Sequence, residues 1–335
     1  WGNTYKGKLD DIFDIQEQVA QQIVEALKLK LTFSERLSLT KRQTLNAEAY
    51  DLYLRGQDQL YRLTKRSVEY AIQLFEKAIE LDPRYAAAYA DCSSAYGQMY
   101  QWFSREEKYR TKAQELSFKA LMYDSNLPEA YAAMGLSYFI WGKFDEAAAS
   151  SRKAIELDPD DFIAYWTLGR IHFSSGEYEQ ALAQFQRVID IKPGFYAAYG
   201  DLAQTYENLK QRAEADAAEG RLLELLPNYL LQNPDDARAR IFYASSLAKV
   251  DRKDEAIREG AMAVELSPGD PMMLYNLACL YATLREIEQA LAALERAVVG
   301  GYENFRWMAH DPDLDVLRSE SRFMVLIAGR RRLRR

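Results

Sequence analysis

The chain has 335 residues, is 48% hydrophobic and 13% aromatic, and includes 23 tyrosines, a composition that excludes a low-hydrophobicity, unfolded polypeptide. A formal net charge of −7 and a pI of about 5.2 argue against a general nucleic-acid binder. No run of 18 apolar residues exists to cross a bilayer, and neither Cys92 nor Cys279 belongs to a CxxC pair, which argues against a disulfide framework or a zinc site.

The chain begins at Trp1 with neither an initiator methionine nor a signal peptide, and reads as a fragment or processed product. Residues 9–31 predict an amphipathic helix. Ile12, Ile15, Val19, Ile23 and Leu27, spaced 3, 4, 4 and 4, make an apolar stripe, and Asp10 and Asp11 suit its N-terminal end. A helical pair follows, the first helix around Ala49 to Leu60, the second carrying Ala71, Phe75 and Ala78 before Pro83. Residues 86–127 form a looser pair with Tyr89, Tyr96, Ala113 and Ala120. Ser93 to Ala113 is 20 residues, against 12 from Gly135 to Ala147, so eight extra residues lengthen the first helix or the turn, Tyr100, Trp102 and Phe103 among them.

From residue 128 a period of 34 residues holds without error. Tyr131, Tyr165 and Tyr199 are 34 apart, as are Gly135, Gly169 and Ala203, then Ala147, Ala181 and Ala215, and Pro159, Pro193 and Pro227. A period of this size means stacked supersecondary units, and a stack offers a long binding surface. In residues 128–161, Tyr131, Met134, Gly135 and Tyr138 share one face of a first helix. Gly142-Lys143 makes the turn. Ala147, Ala154 and Ile155 mark the second helix, with Leu157 near its end, and Asp158-Pro159 stops it. Asp160 and Asp161 stand where the next helix needs an N-cap. Gly135 and Ala147 let the paired helices approach closely, and Ala154 faces the next pair. After Pro227 the phase slips, because Pro227 to Pro268 is 41 residues; Asn233-Pro234 marks the added loop or turn. Two further copies follow, 237–270 (Ala256, Ala263, Pro268) and 271–304 (Leu277-Ala278, Tyr281, Ala290, Ala297). That makes seven copies, degenerate at the ends as capping units must be.

Short motifs carry no chemistry here. Asp311, Asp313 and Asp315 begin like a calcium loop, but its sixth and twelfth positions are Val316 and Arg322 rather than Gly and Glu. Asp311 followed by Pro312 reads as a helix cap. Gly142-Lys143 is not a phosphate loop: Gly135 is seven residues back and Phe144 replaces Ser or Thr. His172 stands where neighbouring copies have Tyr138 and Tyr206, so it reads as a packing residue. His310 precedes the Asp-Pro cap, and neither histidine has the neighbours of a triad or metal site. No catalytic residue, metal ligand or cofactor is assigned, and the chain reads as a non-enzyme. Arg330–Arg335 holds five arginines and reads as a solvated tail, with contact to nucleic acid or an anionic membrane as the alternative.

The spacing resembles the tetratricopeptide repeat family, best in the copy with Tyr165, Leu168-Gly169, His172, Ala181, Phe185 and Pro193. The resemblance implies an all-α, right-handed solenoid of about seven helix-turn-helix repeats: 47–85, 86–127, 128–161, 162–195, 196–236, 237–270 and 271–304, capped by 305–328, with 329–335 as a basic tail. It implies a scaffold that binds a protein or peptide in a concave groove lined by the first helix of each repeat. In this register the lining is Phe139, Ile140, Trp166, Arg170, Phe173, Gln204, Asn208, Ser245 and Tyr275. Trp166, Arg170 and Phe173, spaced 4 and 3, put an arginine between two aromatics on one helix face, the composition of a binding hot spot. The rival reading packs those aromatics within the superhelix. The Lys/Asn clamp by which one subclass grips a C-terminal carboxylate is not matched, since the corresponding positions are mostly Leu, Ala, Gly and Gln.

The N-terminal segment resembles the end of a TolB-like module, through Trp1, Tyr5, Asp11-Ile12-Phe13-Asp14-Ile15-Gln16 and Ala49-Tyr50-Asp51-Leu52-Tyr53-Leu54-Arg55-Gly56. Residues 1–46 are the expected remnant of that module. Trp307, Asp311-Pro312-Asp313-Leu314, Leu317-Arg318 and Arg322-Phe323 are similar to how such arrays end. This architecture belongs to bacterial signalling proteins in which a nucleotide cyclase, a kinase or a winged-helix domain lies upstream. It implies a cytoplasmic scaffold regulating such a domain, or a periplasmic one where a membrane span precedes it. Self-association through the end helices is a further alternative.

Overall fold

The computed structural model describes residues 43–62, 64–302, 305–309 and 311–328, together with Ile15, Val19 and Gln22 as single helical positions. The TolB-like residues before 43, the rest of the Ile12–Leu27 stripe, His310 and the arginine tail lie outside these. The described residues form helices and no strand, arranged as helix-turn-helix pairs. The chain divides into two compact units, Trp1–Thr167 and Leu168–Arg335.

In the first unit, α1 (Ala47–Leu60) pairs with α2 (Lys65–Leu81), α3 (Ala86–Gln98) with α4 (Glu107–Tyr123), and α5 (Pro128–Ile140) with α6 (Phe144–Leu157). Helix α7 (Phe162–Ser174) starts in the first unit and ends in the second. The second unit continues with α8 (Tyr178–Ile191), α9 (Tyr196–Asn208), α10 (Arg212–Gln232), α11 (Ala237–Lys249), α12 (Lys253–Leu266), α13 (Pro271–Thr283) and α14 (Ile287–Val299). The four-residue α15 (Phe305–Met308), a 3-10 turn at Pro312–Leu317 and α16 (Ser321–Ala328) close it.

Local signals explain the helix ends. Asp158 takes an extended conformation before Pro159 and ends α6. Carboxylates and amides then start helices: Asp161 Oδ1 accepts from Ala164 N (2.9 Å), Asp236 Oδ1 from Ala239 N (2.9 Å) and Asn46 Oδ1 from Ala49 N (3.0 Å). The turn inside each of the last five pairs, from α5–α6 to α13–α14, passes through the left-handed region at one recurring place. Gly142 and Gly176 have φ of 72° and 79°, and Lys210, one further period along, has 59°.

Small residues set the inter-helix distance. A Cβ on Gly169 would lie 2.6 Å from Cε1 of Phe185, a buried ring of the paired helix. Ala154 packs with Ala132 of α5 and Ala164 of α7, as its sequence register requires. Tyrosines fill the wider gaps, with Tyr53 against Tyr85 (centroids 5.0 Å) in the first unit and Tyr196 against Tyr229 (5.0 Å) in the second.

Two departures from the period resolve differently. The eight-residue insert carries α3 into a π-helical turn at Met99–Phe103, where Ser104 N donates to Met99 O (2.8 Å). The seven-residue addition lengthens the second helix, α10 having 21 residues against 14 in α8, and the expected turn falls after it. Pro227 lies inside α10, and the stop falls at Asn233-Pro234. Proline removes one backbone donor, but Leu222, Leu226 and Leu230, spaced 4 and 4, are all buried and hold the helix through it.

Candidate functional site

In the second unit the first helices α9, α11 and α13 and the C-terminal turn contribute residues to an open cavity of about 240 Å³. Gly200, Asp201, Gln204 and Glu207 come from α9, and Ile241, Phe242, Ser245, Ser246 and Lys249 from α11. Tyr275, Asn276 and Cys279 come from α13, Glu219 and Leu222 from α10, and Asp311 and Asp313 from the end cap. Gly200 is needed here, because a Cβ would lie 2.6 Å from Cε1 of the Phe242 ring in the cavity wall.

The polar groups form two hydrogen-bonded sets. Lys249 Nζ donates to Glu219 Oε1 (2.6 Å) and to Glu207 Oε1 (2.8 Å), while Ser246 Oγ donates to Glu219 Oε2 (2.6 Å). Burial opposes the Lys249 charge, but Glu219 and Glu207 outweigh it and hold the ammonium above its ordinary range. In the second set, Asp311 Oδ1 accepts from Asp313 N (3.0 Å) as the cap of the 3-10 turn. Its Oδ2 accepts from the Tyr275 hydroxyl and, at 3.7 Å, from the Cys279 thiol. The Tyr275 ring is stacked on Tyr302, with centroids 4.3 Å apart. Burial, then Cys279 and Asp311, push the Tyr275 hydroxyl up; burial, then Asp311 and Asp313, do the same to the Cys279 thiol. Desolvation and the neighbouring Asp311 push Asp313 up to about 6.

These shifts bear on chemistry. A thiol pushed up is a protonated thiol, not a nucleophile, and an ammonium held charged is not a base. The ligand atoms of Cys279, Asp311 and Asp313 lie within 4.8 Å of one another. The hydrogen bonds of Asp311 to the tyrosine and the cap account for that grouping. The arrangement is suited to binding.

The residues expected to line a groove are divided between the two units. Gln204, Ser245 and Tyr275 meet in the cavity. Asn208 is exposed, its Nδ2 donating to Gln204 O (2.8 Å). Phe173 packs edge-on against Tyr178 of the paired helix, with centroids 5.4 Å apart, and Arg170 belongs to the same unit. Trp166 belongs to the first unit, buried and stacked on Trp102 of the π-helical insert at 5.7 Å. Phe139 packs against Phe144 (5.8 Å), and Ile140 is half-buried. Also in the first unit, Gln57 Nε2 bridges the Tyr53 hydroxyl (2.7 Å) and buried Asp91 (2.9 Å).

Sequence reasoning missed Cys279, Lys249, Glu219 and Asp311. The repeat register itself held a signal for the first. Gln204, Ser245 and Cys279 each follow the small residue of their copy, Ala203, Ala244 and Ala278. The cap and the second-helix Glu219 had no such marker.

Residues 125–194, 172–228 and 273–298 each match a sequence description of the tetratricopeptide repeat. The chain contains tetratricopeptide repeats. Over 149 residues, 44% of its length, it is 30% identical to "Putative adenylate cyclase 3" of Rhizobium meliloti (strain 1021), covering 25% of that protein. Over 53 residues, 16% of its length, it is 43% identical to a chloroplastic protein of Arabidopsis thaliana, covering 16% of that protein. The chain thus spans a quarter or less of these curated relatives. Among solved structures it is similar to YrrB, described as a tetratricopeptide repeat protein with an unusual peptide-binding site. The identity there is 23%, with 58% of this chain and 96% of that one covered and a TM-score of 0.36. None of the helices among the described residues is long and apolar enough to cross a membrane.

Proposed function

We propose that this chain is a non-catalytic interaction scaffold that holds a protein or peptide segment in the cavity of its second unit. The single observation carrying this reading is that three successive first helices, α9, α11 and α13, present Gln204, Ser245 and Tyr275 to one cavity. Stacked repeats produce such a surface by adding one first helix at a time. The similarity to an adenylate cyclase over 44% of the chain supports the finer reading that the scaffold regulates a signalling domain elsewhere in its protein.

The test is to fill the cavity. Ser245→Trp puts an indole among the lining residues, and binding to an immobilised peptide library is compared with the parent chain. At least a tenfold loss across the bound peptides is expected, with the circular dichroism spectrum unchanged. A folded variant that binds the same peptides equally well removes this cavity as the site. Formation of cyclic AMP from ATP by the purified chain would overturn the non-catalytic reading.

A further inference from the structure

The cavity of the second unit is unbalanced in charge. Its lining includes the four carboxylates Glu207, Glu219, Asp311 and Asp313 against the one ammonium of Lys249. That ammonium is already engaged by Glu219 at 2.6 Å and Glu207 at 2.8 Å. Asp311 is occupied by the Tyr275 hydroxyl and its own cap. Asp313 stands exposed at the mouth, and no ion pair to its side chain occurs among the described residues.

Asp313 reaches solvent along one side while the protein crowds its carboxyl on the other. Desolvation comes first, and Asp311, Glu207 and Glu219 act with it against the opposing pull of Lys249 to raise its carboxyl. A cation placed beside it would relieve that repulsion. Beside the acids the lining includes the half-buried Phe242 ring, with Leu222 and Ile241 buried next to the cavity. One neighbour already uses that ring, since the Arg238 guanidinium lies 5.8 Å from its centroid. Acidic mouth and aromatic ring together match a side chain with a hydrocarbon stem and a charged head.

We propose that the cavity accepts an arginine or lysine side chain from an extended basic peptide, its head at Asp313 and its stem against the Phe242 ring. This rests on the reading of the cavity as a peptide site and names the chemistry of the partner. Acidic peptides are rejected, because their carboxylates would meet like charge, with the lining ammonium already engaged.

The test uses the full chain and a fluorescein-labelled peptide, Ser-Gly-Ala-Arg-Ala-Gly-Ser, against its citrulline twin, which keeps the shape and removes the charge. Fluorescence polarisation is read at low and high salt. Expected are at least tenfold tighter binding of the arginine peptide, a loss of threefold or more in Asp313→Asn, weakening with salt, and loss of binding in Ser245→Trp. Equal binding of both peptides that Ser245→Trp still abolishes overturns the charge proposal and leaves the peptide site standing. An arginine preference unmoved by both Asp313→Asn and Ser245→Trp places the attraction elsewhere on an acidic protein, and both readings fall.

Discussion

At the scale of single residues, buried carboxylates set the pH response of the first unit. Burial, then the neighbouring Glu129, pushes Asp91 up to about 7, and its hydrogen bonds from Gln57 and Tyr53 only partly oppose this. Burial, then Asp158, pushes Asp161 up to about 7 as well, although it caps α7. Both groups bind protons more tightly folded than unfolded, where a carboxyl titrates near 4. The folded state therefore holds more protons between about pH 4 and 7, and stability falls as pH rises through that window. Urea unfolding followed at pH 5 and pH 8 is expected to give the lower midpoint at pH 8. Asp91→Asn keeps an acceptor for Gln57 but cannot ionise. It should stabilise the chain at pH 8 by on the order of 1–2 kcal/mol and change little at pH 5. A variant with the parent's pH dependence would show that folding does not raise the Asp91 carboxyl. The same scale shows where the site was readable from sequence. Gln204, Ser245 and Tyr275 lie on the periodic face of first helices, so register alone groups them, and the three line one cavity. Glu219 enters from a second helix and Asp311 from the cap, positions that no period marks.

At the scale of elements, the helix pairs were legible because each is written in several signals at once. Alanines sit at the crossing, a glycine fits under Phe185, and prolines and aspartates mark the ends. Pro227 misled because proline is only a strong bias against helix. Three buried leucines at helical spacing outvoted it. The turns give a cleaner rule. The left-handed position held by Gly142 and Gly176 is held by Lys210, Asp251 and Arg285 in later copies, with φ of 59°, 61° and 58°. An L-residue there costs about 1–2 kcal/mol, while glycine gives back roughly 0.5–1 kcal/mol through the entropy of the unfolded chain. Arg285→Gly is therefore expected to stabilise by about 0.5–1 kcal/mol, read as a rise in urea midpoint at unchanged slope. A fall would show that the arginine side chain contributes more than the backbone strain costs.

At the scale of the whole molecule, a stack of repeats joins only neighbour to neighbour, so damage stays local unless the interfaces are strong enough to enforce a single transition. Asp236 offers a way to ask which holds. It is buried in the second unit, caps α11 through Ala239 N, and accepts from Tyr229 (2.8 Å) and Tyr196 (3.2 Å). Asp236→Ala removes a cap worth about 1 kcal/mol and leaves two tyrosyl hydroxyls short of an acceptor. The expected destabilisation is about 2–4 kcal/mol. Trp102, Trp141 and Trp166 all belong to the first unit, so tryptophan fluorescence is weighted towards that unit, whereas circular dichroism at 222 nm follows helices of both. In the parent chain the two unfolding curves should lie close together. In Asp236→Ala the dichroism curve should move to lower urea and broaden while the fluorescence midpoint holds nearly still. That split is the consequence of a core built one repeat at a time. Curves that shift together by the same amount would instead show that the chain unfolds as one cooperative body, and that a substitution beside α11 is felt by the tryptophans of the first unit.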